Sequence, residues 1–225
     1  MKLVSVNCGM PRTVDWHGRN VTTSIYKEQV QGRIALRTLN LDGDRQSDLT
    51  VHGGKDKAVY CYPVEHYEYW KVDLPGHALP VGVFGENFTT EGLSEESVNI
   101  GDRFAVGSAE VVVSQPRLPC YKLGVRFESD DMVKRFLASR RTGFYLAVVR
   151  EGVVGAGDEI TVLHHNPDSI SVSEINRLYI AKEYNEEDLR LVRTALAIEA
   201  LPQSWKEFLQ EKATKLGVAS RPFKM

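Results

Sequence analysis

The segment QPRLPCYKLG, residues 115–124, places a single cysteine between two basic residues and next to a proline. Arg117 precedes Cys120 by three positions, and Lys122 follows it by two. Nearby positive charges favour the thiolate, the form of cysteine that attacks electrophiles and binds metal ions. The two prolines of the segment stiffen the turn and can hold the sulfur in one direction. The segment predicts a reactive or metal-binding thiolate, and a purely structural cysteine is the alternative.

A second candidate is the glycine-rich turn HGGKDK, residues 52–57. Gly53 and Gly54 can adopt conformations that point successive backbone N–H groups into one concavity, which can bind an anion. Lys55 and Lys57 add positive charge. The spacing of a Walker phosphate loop is absent. We expect an anion-binding turn here, with a tight hairpin turn and a hydrogen-bonded structural His52 as the alternative.

Two further turns carry polar residues of lower rank. The stretch LDGDRQSD, residues 41–48, resembles part of a calcium loop but lacks the full ligand pattern. A turn from which Arg45 reaches a ligand is therefore the better interpretation. Asn87 follows Gly85 in FGEN, and its amide can both donate and accept, which suits the edge of a heterocycle.

The elements that must position these residues are mostly strands. Short runs rich in Val, Ile, Tyr and Phe, bounded by turn residues, predict strands over residues 2–8, 31–39, 57–62, 96–101, 109–115, 144–152 and 158–164. Because these runs do not alternate regularly with long helices, a parallel doubly wound sheet is not expected. Many short strands favour a closed β-barrel, since closure removes exposed strand edges.

Helical patterns interrupt the strands twice, over residues 63–72 and 129–141, and then occupy the rest of the chain. Three helix starts are signalled by Ser171 with Glu174, by Asn185, and by Ser204 with a glutamate three positions later. The fold class predicted is mainly β with α. A β-barrel domain over residues 1–165 is followed by a small three-helix bundle over residues 166–225, which covers part of the barrel.

The composition excludes several classes of protein. The chain has 225 residues, a net charge of -2 and 42% hydrophobic residues, so nothing in its overall charge points to nucleic acid or an anionic membrane. The three cysteines form no C-x-x-C pair, which excludes a zinc ribbon or a thioredoxin motif. The N-terminal run lacks a signal-peptide core, and no stretch reaches the roughly 20 apolar residues of a membrane span. We expect a cytoplasmic protein, monomeric or weakly dimeric.

The order of the motifs LDGDRQSDLTVHGGKDKAVYCYP, FGENFTTEGL, VNIGD and SQPRLPCYKL resembles the MOSC domain, the molybdenum-cofactor sulfurase C-terminal domain. The resemblance extends from about residue 2 to residue 163. The helical end is similar to the three-helix domain of the YiiM-like branch of this family. The resemblance implies a MOSC-type β-barrel that binds the molybdenum cofactor, a molybdopterin, with Cys120 as the molybdenum ligand and therefore the catalytic residue.

The resemblance also implies roles for the other candidates. Turn residues His52, Gly53, Gly54 and Lys55 would line the site of the pterin phosphate. Arg117 and Lys122 would supply local positive charge or contact the phosphate. The second-rank contacts to pterin or phosphate are Lys27, Arg45, Asn87 and Gln115.

Three hypotheses for the activity follow. The first is a molybdenum-dependent reductase of N-hydroxylated compounds such as 6-N-hydroxylaminopurine, which takes electrons from a separate flavoprotein; the cofactor carries the redox chemistry and the protein orients it. The second is a non-catalytic carrier of sulfur or of the molybdenum cofactor on Cys120. The third is a hydrolase that uses Cys120 with His52 as base. The helical end either covers the barrel, docks the electron donor or forms one wall of the substrate cleft.

Overall fold

The computed structural model describes residues 1–48 and 53–216 and shows a mixed α and β architecture. The strands are β1 Lys2–Cys8, β2 Arg12–Trp16, β3 Arg19–Thr23, β4 Glu28–Gln29, β5 Arg33–Leu36, β6 Val59–Pro63, β7 Phe88–Glu91, β8 Arg103–Val106, β9 Ala109–Pro116, β10 Phe144–Arg150, β11 Gly152–Gly155 and β12 Ile160–His164. The helices are α1 His66–Asp73, α2 Tyr121–Phe127, α3 Met132–Ser139, α4 Val172–Ile180, α5 Glu186–Ala197 and α6 Gln203–Leu216, and Lys55–Lys57 form a short 3-10 turn. No helix in the described residues is long and apolar enough to cross a bilayer.

Eight strands form one curled sheet in the order β12-β8-β9-β10-β6-β7-β1-β4. All neighbours are antiparallel except β6 and β7, which run parallel. The sheet is a half-barrel, where the sequence predicted a closed barrel. Backbone hydrogen bonds connect β1 to the residues that precede β12: Leu3 N donates to Asp158 O at 2.9 Å, and Gly157 N donates to Leu3 O at 2.7 Å. These bonds bring the two ends of the curled sheet together.

One continuous core joins the sheet to the last three helices, α4 to α6, which we call the tail. Val111 and Val113 of β9 belong to the same buried cluster as Ile175 of α4, Val192 of α5 and Leu209 of α6. The division into two domains at residue 165 stays a prediction, as does an independent three-helix bundle. The shared burial indicates that the tail is held in place by the sheet rather than by its own helices alone.

A second core cluster is aromatic and packs α1, α2 and α3 against β6. Trp70 and Phe136 stack with ring centroids 5.4 Å apart, and Tyr62 and Phe84 lie 4.8 Å apart. Trp70 Nε1 donates to the Tyr62 hydroxyl at 2.7 Å, so the polar edges inside this cluster are satisfied. The cluster fixes α2, which begins at the residue directly after Cys120.

The helix starts were predicted with mixed success. Ser171 and Asn185 each cap a helix through a complete capping box, so both predictions are confirmed. The box predicted at Ser204 is wrong, because α6 begins one residue earlier. Residues 96–101 form a turn with one isolated bridge at Asn99 rather than a strand. Helix α2 and the β2–β3 hairpin were not predicted.

Candidate functional site

A cavity of about 440 Å³ lies between the half-barrel and the tail. The lining comes from residues 23–60, from Gly85 and Asn87, from the segment Gln115 to Lys122, from Tyr145 of β10, and from side chains of α4 and α6. A volume of this size is within the range of small-molecule and cofactor sites, roughly 300–1,000 Å³.

Cys120 lines this cavity and is half-buried. It occupies the N-cap position of α2 in an extended conformation, and its carbonyl accepts from Leu123 N at 2.9 Å. On its other side the segment is anchored to β10, because Pro116 pairs with Phe144 and Arg117 N donates to Gly143 O at 3.1 Å. The thiol is therefore held by a strand on one side and by a helix start on the other.

Arg117 also lines this cavity, and its guanidinium is buried. Its side chain is only 6% exposed, and its Nη1 atom is buried without a hydrogen-bond partner among residues 1–48 and 53–216. The rings of Tyr60 and Phe136 each lie 5.1 Å from its Cζ atom. Burial by itself lowers the pKa of Arg117, but neighbouring groups, Tyr60 first and then Tyr145 and Cys120, together raise it above its ordinary value. The cavity lining therefore carries a positively charged group, one of whose N–H donors has no hydrogen-bond partner in the described residues.

A buried carboxylate, Asp44, organises the opposite side of the lining. It accepts hydrogen bonds from Lys27 Nζ, from Gly9 N at 2.8 Å and from Asn87 Nδ2 at 3.0 Å. The Asn87 side chain also accepts from Tyr60 N at 3.1 Å. Lys27 and Asn87 thus line the cavity, but this network already uses part of their hydrogen-bonding capacity.

Two further lysines contribute to the positive lining. Lys122 is buried and donates to Ser47 Oγ at 2.8 Å. Lys57 follows the glycine turn, and burial lowers its pKa while Asp56 opposes that shift. The described part of the lining contains four basic side chains and one carboxylate. This balance favours an anionic ligand.

Gln115 connects the cysteine segment to two other parts of the molecule. Its Nε2 donates to Asp56 O at 3.0 Å, and its Oε1 accepts from Trp205 Nε1 of α6 at 2.8 Å. The side chain therefore supports the glycine turn and ties the tail to the cavity. Its role in the structure is to position these elements.

The tail supplies an aromatic side of the cavity. Tyr179 of α4 and Trp205 and Phe208 of α6 line it, with ring centroids 5.1–6.0 Å apart. The tail therefore both packs on the sheet and lines the cleft, which matches two of the alternatives given for it.

The structure brings most of the predicted site residues together. The cavity is lined by Cys120, Gly53, Arg117, Lys122, Lys27, Asn87 and Gln115. Gly54, Lys55 and Arg45 are exposed and are not among the lining residues. His52 lies outside the described residues. Lys57, expected to add charge beside the glycine turn, also lines the cavity. Lining residues that were not predicted as site residues include Ser24, Asp44, Tyr60, Tyr179, Trp205 and Phe208.

The lining fits an anionic cofactor that carries a soft metal. Two lining residues, Arg117 and Ser24, each have a buried polar atom, Nη1 and Oγ, without a hydrogen-bond partner in the described residues, and such atoms are normally satisfied. Cys120 offers one sulfur, and thiolate sulfur is a suitable ligand for a soft metal centre. No group of three or more His, Cys, Asp or Glu side chains in the described part of the chain could hold a metal by itself. A metal would therefore have to bring most of its ligands with it.

Comparisons with known proteins identify the family of the chain. The MOSC domain, a family of molybdenum-cofactor-binding domains, matches residues 48–161. YflK of Bacillus subtilis (strain 168) is 38% identical over 95% of each chain, and YiiM of Escherichia coli (strain K12) is 34% identical over 84% of each. The crystal structure of YiiM from Geobacillus stearothermophilus superimposes with a TM-score of 0.77 at 33% identity, and covers 94% of this chain and 98% of that one. The chain therefore belongs to the MOSC domain family.

Proposed function

We propose that the protein is a molybdenum-cofactor-dependent reductase of N-hydroxylated compounds such as 6-N-hydroxylaminopurine, with Cys120 as the molybdenum ligand. The observation that carries the proposal is that Cys120 shares one basic cavity with the buried guanidinium of Arg117, whose Nη1 has no partner in the described residues. A thiolate for the metal and a donor for an anion are the two things that a phosphorylated pterin with a bound metal requires.

The residues would divide the work between metal, phosphate and substrate. Cys120 would bind the metal, and Arg117, Lys122 and Ser24 would hold the phosphate of the pterin. When bound, the cofactor would supply the two-electron centre at which the N–O bond of the substrate is cleaved. The reaction consumes two electrons and two protons for each N-hydroxyl group and releases an amine and water. The protein excludes bulk water and orients the substrate.

Electrons would come from a separate flavoprotein, because the cavity lining offers no second redox group among its described residues. We further propose that the protein works in the cytoplasm on small molecules, as a monomer or weak dimer, without nucleic acid or membrane as partner.

The proposal is tested by purifying the protein from a molybdate-replete host. Molybdenum and pterin are measured per chain, and reduction of 6-N-hydroxylaminopurine is assayed with a chemically reduced electron donor. We expect metal, pterin and turnover in the wild type, and loss of metal and turnover in Cys120→Ser. Cys8→Ser is the matched control, since that thiol lies outside the cavity lining, and it should retain both.

Two outcomes would redirect the proposal. Full metal and full activity in Cys120→Ser would refute the ligand assignment. Bound cofactor without turnover on any N-hydroxylated substrate would favour the carrier hypothesis.

A further inference from the structure

The aromatic side of the cavity is a built surface. We define the tail wall as Tyr179, Trp205 and Phe208. Tyr179 and Phe208 are half-buried, so part of each side chain is accessible. Trp205 is only 7% exposed and packs beside them. The Tyr179 and Phe208 centroids are 5.1 Å apart, and the Trp205 ring meets Phe208 edge-on at 6.0 Å. Such mutual contacts restrict the rings to one arrangement.

Polar contacts hold the tail wall against the rest of the cavity. Trp205 Nε1 donates to Gln115 Oε1 at 2.8 Å in a buried position. Lys212 of α6 donates to the carbonyls of Leu178, at 2.9 Å, and of Tyr179, which fastens α6 to the end of α4. A surface whose side chains are already ordered binds a ligand at a lower entropic cost.

The tail wall differs in chemistry from the rest of the lining. The basic groups of the described lining come from the half-barrel and its loops, which also contribute the rings of Tyr60 and Tyr145, and Arg117 and Cys120 lie within the matched domain, residues 48–161. The tail wall lies outside that range and contributes three aromatic rings but no basic group. The tail therefore adds an aromatic wall to a cavity whose described cationic groups come from the rest of the chain.

We infer that the tail wall binds the ring of a planar heteroaromatic substrate, and so selects aromatic over aliphatic N-hydroxylated compounds. Aromatic rings favour planar π systems by stacking and edge contacts, and they offer little to a flexible aliphatic chain. The inference rests on the proposed function for the N–O chemistry, but the binding of the ring does not depend on turnover.

The test uses Phe208→Leu and Tyr179→Leu in the cofactor-loaded protein. Both variants keep an apolar side chain and lose the aromatic face. Phe208→Tyr keeps the ring, and Tyr69→Leu on α1 is a matched loss of an aromatic residue away from the cavity. Binding of adenine is measured by calorimetry, and steady-state kinetics are measured with 6-N-hydroxylaminopurine and with acetohydroxamic acid, an aliphatic N-hydroxylated amide.

We expect each leucine variant to weaken adenine binding and to raise KM for the purine about tenfold, within the range known for base–aromatic stacking. Because the ring contact forms before and during the reaction alike, kcat should stay within about twofold. Acetohydroxamic acid kinetics, molybdenum content and pterin content should not change. Phe208→Tyr should keep the purine KM and the adenine affinity closer to the wild type than Phe208→Leu does, and Tyr69→Leu should behave as the wild type. If one leucine variant does not fold, the other carries the test.

The outcomes separate this inference from the proposed function. Unchanged adenine affinity and unchanged purine KM in both leucine variants would overturn the inference and leave the reductase standing. Loss of pterin and metal from these variants would assign the tail wall to the cofactor ring and also overturn it. Adenine binding that the leucine variants lose, in a protein that reduces neither substrate, would support the tail wall while the proposed reductase fails.

Discussion

Replacing Arg117 with methionine should weaken anion binding while changing the stability of the ligand-free protein by no more than about 2 kcal/mol. The buried Nη1 atom of Arg117 has no partner in the described residues, and such a donor costs about 1–3 kcal/mol. Methionine fills a similar volume without any N–H group. The variant loses the contacts of the guanidinium with Tyr60 and Phe136, worth about 2 kcal/mol each at a desolvated site. Its sulfur can regain part of that through contacts with the same rings.

The net effect on the ligand-free protein is therefore between a loss and a gain of about 2 kcal/mol. At about 2–4 °C per kcal/mol for a chain of this size, Tm should stay within roughly 8 °C of that of the wild type. Ligand binding, in contrast, should change in one direction only. A hydrogen bond to a charged group contributes about 1.5–3 kcal/mol, so the variant should bind an anion roughly 10- to 150-fold more weakly.

The assay is urea unfolding, followed by thermal unfolding with increasing inorganic phosphate at constant ionic strength. Phosphate should raise the Tm of the wild type by mass action and raise that of Arg117→Met much less. Arg177→Met is the control, because Arg177 Nη1 is paired with Asp188 Oδ1 at 2.6 Å. That variant should lose about 1 kcal/mol and keep the phosphate effect. If the free energy of unfolding of Arg117→Met falls by more than about 2 kcal/mol, the guanidinium is needed for the stability of the fold and the reasoning is wrong.

Two further predictions concern the packing at a glycine and the reactivity of the cysteines. Gly143→Ala should lower the free energy of unfolding in urea by about 2–5 kcal/mol, because φ is +69° and an added Cβ would lie 2.4 Å from the Cys61 carbonyl oxygen. The control Gly76→Ala, where φ is +82° and the added Cβ would meet open space, should lower it by only about 1–2 kcal/mol. Burial raises the pKa of Cys8 and Cys61 to about 12, so at pH 8 only about one in 10⁴ of these thiols is ionised. Iodoacetamide followed by peptide mass spectrometry should therefore find Cys120 modified first, and equally fast labelling of Cys8 would contradict this.

The parts of the fold that the sequence predicts are those with strong local signals. The caps at Ser171 and Asn185 are visible because a short polar side chain and an acid three residues later satisfy the same helix end. The turn at residues 96–101 has the residue types of a strand, but its backbone pairs only at Asn99. Helix α2 has only seven residues and contains Gly124, so its pattern is too short to indicate a helix.

The candidate site is only partly visible in the sequence for a related reason. Cys120, Arg117 and Lys122 lie within six positions of one another, so their shared chemistry can be read locally. Ser24 has no local signal, because its importance arises only when the fold buries its hydroxyl at the cavity. Phe208 lies on the apolar stripe of α6, and a stripe cannot distinguish a core residue from one that faces a cavity.

The tail and the half-barrel should unfold as one unit, because they share a core and a buried hydrogen bond from Trp205 to Gln115. In a double-mutant cycle of Trp205→Phe and Gln115→Leu, the single variants each leave one partner unsatisfied, and the double variant removes both. The coupling energy should be about 1 kcal/mol in favour of the pair. Thr13→Val on the separate β2–β3 hairpin should be additive with Trp205→Phe. Tryptophan fluorescence and circular dichroism should report a single transition in urea. Two transitions, or a coupling energy near zero, would make the tail an independent domain whose aromatic residues approach the cavity without being fixed there.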